Sequence, residues 1–425
     1  GRRRRQAAPG TIGAERQVIV SNQVDFFRDF EQRHGAELPS ETLTHGNEWD
    51  LYSASMTETS ARVRRAVEKL RTAEALSTLV SLHDPAALRG RDAARDQAFM
   101  ALGLYWEHDW TADGPVPRDA RAAWQEELAG QIARYVDSLQ HDAAAKLATL
   151  IPRAGADVRF YAFNPLGWTR TDAADFSYEG PEDIHVYDVA DSTETPHQFV
   201  TLGGKKHLRI LARDLPPVGY KVFEIQPGSG DTSPTVAATF NRPILENARL
   251  KLSLDGDGAI GSLIDKRDPA AEFAAAIGGL KLNDLAANHA GGRETVLENE
   301  GPVSVTVRIT SDAARSHMTR VTLYRDPERV DLANEITENF GDVRHWSFSF
   351  NLSNPDVRTE ELGAIIRVKK KSDGGHYAER NARYDYATLN HFADISDGDK
   401  TRGITLSNWD CAFVRLGQST AASLD

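Results

Sequence analysis

The sequence predicts an α+β chain of several units, and three patterns carry that reading. Apolar residues recur at three- and four-residue steps through 57–151. Nearly every segment after Pro152 alternates in the manner of a strand between turn residues. A single strand-like run followed by a single helix-like run occupies 17–35, ahead of both. At 425 residues the chain has room for roughly three domains, at about 150 residues each.

The first of these segments opens with Val18, Ile19 and Val20, an apolar run suited to a buried strand. Ser21 is then a candidate cap for a helix over 22–34 carrying Phe26, Phe27 and Phe30 on one side, stopped at Gly35. One strand plus one helix is what the end of a larger α/β domain would leave.

The helical region divides into three. Val63, Val67, Leu70, Ala73, Leu76 and Val80 form an amphipathic stripe that Asp84-Pro85 interrupts. A second helix is expected over 91–107, with Ala94, Ala98, Leu102 and Tyr105 inward, before Gly114, Pro115 and Pro117 break it. Trp124, Leu128, Ile132, Tyr135, Leu139 and Leu147 mark a third, ending before Pro152. Short connections between three such helices predict a small antiparallel bundle.

Beyond it, 159–163 ends in the turn pair Asn164-Pro165, and 207–211 and 220–225 flank Leu215-Pro216-Pro217-Val218-Gly219. The runs 249–254 and 259–264 face each other across Asp255-Gly256-Asp257-Gly258, a hairpin with Asp-Gly turn chemistry. Further strands are expected at 303–310, 320–324, 346–350, 363–368 and 411–416, with 228–234 a linker. Strands in this number predict antiparallel sandwiches. The expected divisions are 1–56, 57–152, 153–235 and 236–425.

Composition excludes several classes of function. Hydrophobic residues are 40% and charged residues 26%, the balance of a folded globular protein. A net charge of −12 argues against a nucleic-acid surface, and the four arginines at 2–5 read as a solvated tail. No apolar run approaches the roughly 20 residues of a membrane helix, so no membrane partner is expected. Cys411 is the only cysteine, so no intrachain disulfide can form. No targeting signal is visible, and localisation and oligomeric state stay open, a homo-oligomer included.

Three segments, in order, resemble glycoside hydrolase family 38, the zinc α-mannosidases. Trp49-Asp50-Leu51-Tyr52-Ser53-Ala54-Ser55 leads into an arginine-rich helix. Leu102-Gly103-Leu104-Tyr105-Trp106-Glu107-His108-Asp109 is similar to the family's Leu-Gly-Leu-aromatic-x-His-His-Asp. Tyr161-Ala162-Phe163-Asn164-Pro165-Leu166-Gly167-Trp168 opens the β region, echoed by Pro216-Pro217-Val218-Gly219-Tyr220 and by Leu245-Glu246-Asn247. The resemblance covers about residues 20–425. It implies that 1–56 closes a catalytic α/β barrel, that 57–152 is the family's three-helix middle domain, and that a small and then a large, galactose-mutarotase-like sandwich follow.

It also implies a site. His108 would be a zinc ligand, reaching from the bundle to a metal whose other ligands lie in the barrel, and Asp109 would contact the bound sugar. Trp49 would stack on a pyranose face, with Asp50 and Tyr52 weaker candidates. Glu107 stands where the family has a first histidine, and Trp110-Thr111-Ala112-Asp113 replaces its usual loop, which puts that loop's sugar contacts in question. Retaining hydrolysis needs two carboxylates about 5–5.5 Å apart, and the family carries both on the barrel ahead of the bundle. No His-x-Asp occurs here, since His83-Asp84 and His108-Asp109 are adjacent pairs. No catalytic residue is therefore expected within these residues. His185, His197 and His391 read as structural, and Glu360-Glu361 and Asp397/Asp399 as solvated turns.

Two functions from different classes follow. One is part of a zinc-dependent retaining α-mannosidase acting on mannose-containing oligosaccharides, inactive without its barrel. The other is a non-catalytic carbohydrate-binding or scaffolding protein.

Overall fold

The computed structural model describes residues 20–46, 56–87, 89–107, 116–153, 155, 157–231, 234–268, 271–286 and 291–424. Four helices are described: α1 (Gln23–His34), α2 (Thr57–His83), α3 (Asp92–Tyr105) and α4 (Arg118–Leu150). Among the described residues no helix is long and apolar enough to cross a membrane.

α1 is capped by Asn22 rather than by Ser21: the Asn22 side chain accepts from the Asp25 N–H at 2.9 Å, while the Ser21 hydroxyl turns to the Asp25 carboxylate. Residues 17–19 of the expected strand lie outside the described residues, and Val20 and Ser21 are in no strand. α1 buries none of its residues, and Phe26 and Phe27 are 59% and 65% exposed.

α2, α3 and α4 form the bundle. Val63, Leu70, Ala73, Ala101, Tyr105, Leu128, Ile132 and Leu139 interlock in its core. The stripe is offset in places from its expected position: Ala66 is buried where Val67 is only half-buried, and Ala94 is exposed. Arg118 follows Pro117, whose fixed φ suits a helix start. At one end of the bundle Leu76, Val80, Ala143 and Leu147 pack on Tyr161, Phe163 and Tyr220 of the first β unit. There the Tyr161 hydroxyl donates to the Ala144 carbonyl at 3.0 Å, and burial pushes that phenol up to about 12.

That β unit has two antiparallel sheets, four and three strands, closed on a core including Phe160, Val186, Leu208, Ile210 and Phe223. Val158–Asn164 pairs with Gly219–Pro227 in register Phe163↔Tyr220. The motif residue Asn164 locks the crossing: its buried amide donates to the carbonyls of Trp168 (2.7 Å), Pro216 (3.0 Å) and Leu215 (3.3 Å). Gly219 is required beside it, because a Cβ there would stand 2.9 Å from the Pro216 ring.

The second β region is larger. A six-stranded sheet including Leu250–Leu254 and Ile260–Asp265 faces the four strands Gly292–Glu300, Ser304–Ser311, His317–Tyr324 and Val330–Ile336 across one apolar core. The expected hairpin is present, with Gly258 at φ 92°. Asn247 repeats the role of Asn164: its side chain accepts from the Arg249 and Leu250 N–H groups and donates to the Tyr324 carbonyl. A further sheet, Ala364–Arg367, Asp356–Glu361, Phe392–Ser396 and Gly403–Ser407, and a two-stranded pair, Ala387–Thr388 with Phe413–Val414, follow. Arg329 joins the two β regions through both carboxylate oxygens of Asp172, at 3.0 and 2.9 Å. The architecture is α+β and multidomain.

Candidate functional site

His108, Asp109 and Trp49, with Asp50 and Tyr52, lie outside the described residues. Of their described flanks, the start of α2 and the end of α3 meet. Tyr105, the last residue of α3, is fully buried, and its hydroxyl meets that of Ser60, in the first turn of α2, at 2.9 Å. Burial raises the Tyr105 phenol, which stays a neutral hydrogen-bonding group at physiological pH. Trp106 sets its ring edge-on to Tyr105 at 5.0 Å, and the Glu107 N–H donates back to the Leu104 carbonyl at 3.3 Å. α4 closes the third side, where Glu126 accepts from the Thr59 hydroxyl and from Arg62. Those two bonds hold the Glu126 carboxyl below its ordinary value, Thr59 foremost. The end of the segment entering α2 and the start of the segment leaving α3 therefore sit at one end of the bundle, opposite the first β unit.

The run-up to Trp49 is fixed separately. Residues 44–46 lie along 376–383: the Thr44 N–H donates to the His376 carbonyl (2.7 Å), the Ala378 N–H to Thr44 (2.9 Å) and the Arg383 N–H to His45 (3.0 Å). Gly46, at φ 74°, passes so close that a Cβ would stand 2.1 Å from the Arg383 carbonyl oxygen.

A third contact joins α2 to the last β region. Arg64 donates to the backbone carbonyls of Asn390 and, at 3.3 Å, Trp409, while Arg65 takes both carboxylate oxygens of Asp410. One helical turn on, His391 sits between two carboxylates, Glu360 at 2.6 Å from Nδ1 and Glu68 at 3.1 Å from Nε2, with Arg71 at 2.8 Å from Nε2. Glu360 was expected in a solvated turn; it is instead a buried residue near the end of Asp356–Glu361. Burial pushes its carboxyl up, but bonds from the Gly363 N–H and from His391 outweigh that and leave it below its ordinary value. Glu361 likewise accepts from Thr388, and Asp397 is buried where it accepts from the Ser353 N–H; Asp399 is a turn residue bonded to Thr401. His185 bridges Gly228 and Gln226 within the first β unit, and burial lowers His197 there.

Ser60 and Glu68 were not singled out from the sequence, and Glu360 was named only as a solvated turn residue. Only Ser60 left a signal, as the small residue one turn inside a helix whose partner helix ends in a tyrosine needing a bond. Among the described residues no group of three or more His, Cys, Asp or Glu could hold a metal ion.

The fold defines a class: a helical bundle that packs on a first β unit and also contacts the last, followed by large antiparallel sandwiches. Two solved structures have this architecture. One is a protein in glycosyl hydrolase family 38 from Enterococcus faecalis, at TM-score 0.67 and 14% identity, covering 93% of this chain and 55% of that one. The other is an alpha-mannosidase from Enterococcus faecalis V583, at TM-score 0.66 and 12% identity, covering 93% of this chain and 54% of that one. At such identities the likeness establishes the fold. The chain spans little more than half the length of either neighbour. No family model matches the sequence, and no curated protein matches it.

Proposed function

We propose that this chain is part of a zinc-dependent retaining α-mannosidase of the glycosyl hydrolase family 38 type, acting on terminal α-mannosidic bonds of oligosaccharides. His108 is a metal ligand, Asp109 hydrogen-bonds the bound sugar and Trp49 stacks on it. The nucleophile, the acid and the remaining metal ligands belong to a catalytic barrel, so these 425 residues alone do not turn over substrate. Bound zinc would supply positive charge that orients sugar hydroxyls. The observation that carries the reading is the Ser60–Tyr105 bond: it ties the helix that follows Trp49 to the helix that precedes His108, at one end of the bundle. The exposed phenylalanines of α1 fit a helix that belongs against more of a barrel.

The test is hydrolysis of an aryl α-mannoside by the natural full-length protein, before and after exhaustive chelation. Activity is expected, lost with the metal and restored by zinc. Activity that survives complete metal removal, or turnover by the 425-residue chain alone, refutes the reading.

A further inference from the structure

We infer that His391 is a proton-operated junction between α2 and the last β region, holding that seam by one partner when its ring is charged and by another when it is neutral. Two groups of opposite character stand at one ring nitrogen. Arg71, which only donates, has Nη1 2.8 Å from His391 Nε2, and Glu68, a carboxylate acceptor, has Oε1 3.1 Å from the same atom. The other nitrogen is committed. Nδ1 lies 2.6 Å from Glu360 Oε2, which also accepts the His391 N–H at 3.0 Å, while Glu360 Oε1 accepts the Gly363 N–H at 2.8 Å. Burial pushes the Glu360 carboxyl up, but the Gly363 and His391 contacts outweigh it, so Glu360 is an ionised acceptor and Nδ1 carries a hydrogen in both charge states.

Nε2 is therefore where the proton acts. A neutral ring presents a lone pair there, which Arg71 fills; a charged ring presents an N–H, which Glu68 accepts and from which Arg71 turns away. Arg71 and Glu68 also hold each other at 3.1 Å, so the partner that leaves the ring stays on its neighbour. Both lie on α2, one helical turn apart, so either state ties the same helix to His391 and through it to Glu360. The other charged or titratable groups facing this seam are Arg64, which donates to the Asn390 carbonyl and lies among Glu68, Glu360, Asp410 and Cys411, and Arg65, which is paired with Asp410. Glu361 accepts from Thr388. Of these side-chain types, imidazole is the one that ordinarily changes charge between about pH 5.5 and 7.5.

The test removes one partner at a time from the full chain. Glu68→Gln takes away the carboxylate that the charged ring needs and leaves Arg71, so the seam should loosen at about pH 5.5 and hold at about pH 7.5. Arg71→Met keeps the apolar stem but no donor, so the seam should loosen at the higher pH and hold at the lower. The readout is amide hydrogen exchange of the peptide over 387–411, each variant divided by wild type at the same pH so that the intrinsic pH dependence of exchange cancels. These side chains are half-exposed, so the sensitive pH should show exchange about two- to fivefold faster, as for an ion pair at a partly exposed site. Opposite pH dependence in the two variants is the expected result. Equal factors at both pH values, or the same trend in both variants, overturn the inference. Adding His391→Asn to either variant should abolish its pH dependence; a dependence that persists without the imidazole belongs to another group and overturns the inference as well.

Discussion

Replacing Tyr105 with Phe removes one oxygen from the point where the flanks of the proposed site converge. The hydroxyl is buried and 2.9 Å from that of Ser60, so its loss should cost about 0.5–1.5 kcal/mol, the net value of a buried hydrogen bond. The ring itself stays, and with it the apolar core around Ala98, Leu128 and Ile132. Ser60→Ala should cost a similar amount, because the tyrosine loses the same bond. If the two hydroxyls depend on each other, the double variant should be no worse than either single one by more than a few tenths of a kcal/mol, a coupling of about 1 kcal/mol. Urea unfolding followed by helical circular dichroism measures all four proteins. Simple additivity of the two losses would show that the hydroxyls do not bind each other. It would also remove the contact between the helix that follows Trp49 and the helix that precedes His108.

Other perturbations give separate outcomes. Burial pushes the Asp172 carboxyl up, but its bonds and charge contacts with Arg329, and then Arg170, outweigh that and hold it below its ordinary value. A depressed carboxyl stabilises the fold above the unfolded-state value of about 3.9 and loses that contribution as pH falls through the folded-state value. Asp172→Asn should therefore lower the urea midpoint at neutral pH, and its difference from wild type should vanish in strong acid; a pH-independent difference refutes this. Gly46→Ala forces a left-handed residue against the Arg383 carbonyl, at a cost of about 1–2 kcal/mol. It should release 44–46 from 376–383, read as faster proteolysis before α2. On the proposed function, His108→Ala in the natural full-length protein should lose zinc together with activity. Asp109→Asn should keep its metal but lose about ten- to a hundredfold in kcat/KM, as expected for a charged-acceptor bond of about 1.5–3 kcal/mol. Full metal and full activity in both variants would mean the motif assignment is wrong.

The bundle was legible because its signal is local: Val63, Leu70, Ala73, Leu76 and Val80 all prove buried. The hairpin over 250–265 was legible for the same reason, its turn chemistry being written in four residues. Gly292–Glu300 was not, because this edge strand is largely solvent-exposed and its residues show no alternation. Glu360 was misread because its charge suggests a surface, while the groups that justify its burial, His391 and the Gly363 N–H, lie elsewhere in the chain or belong to the backbone. The site followed the same rule. Its proposed residues were named through resemblance and lie outside the described residues, whereas the Ser60–Tyr105 bond spans 45 positions and leaves no periodic trace.

The bundle is held at its two ends by opposite kinds of force, and the chain inherits two different weaknesses from that. Toward the first β unit the seam is leucine, valine and aromatic carbon. Along α2 toward the last β region it is arginine against carboxylate and carbonyl, at half-exposed side chains. Cooling weakens the first, and added salt the second. A concentrated neutral salt solution should loosen the Trp409 turn from α2 while the far end holds. Near freezing in dilute buffer the order reverses. Ionic strength is therefore a handle on the seam between α2 and the last β region that leaves the apolar seam in place.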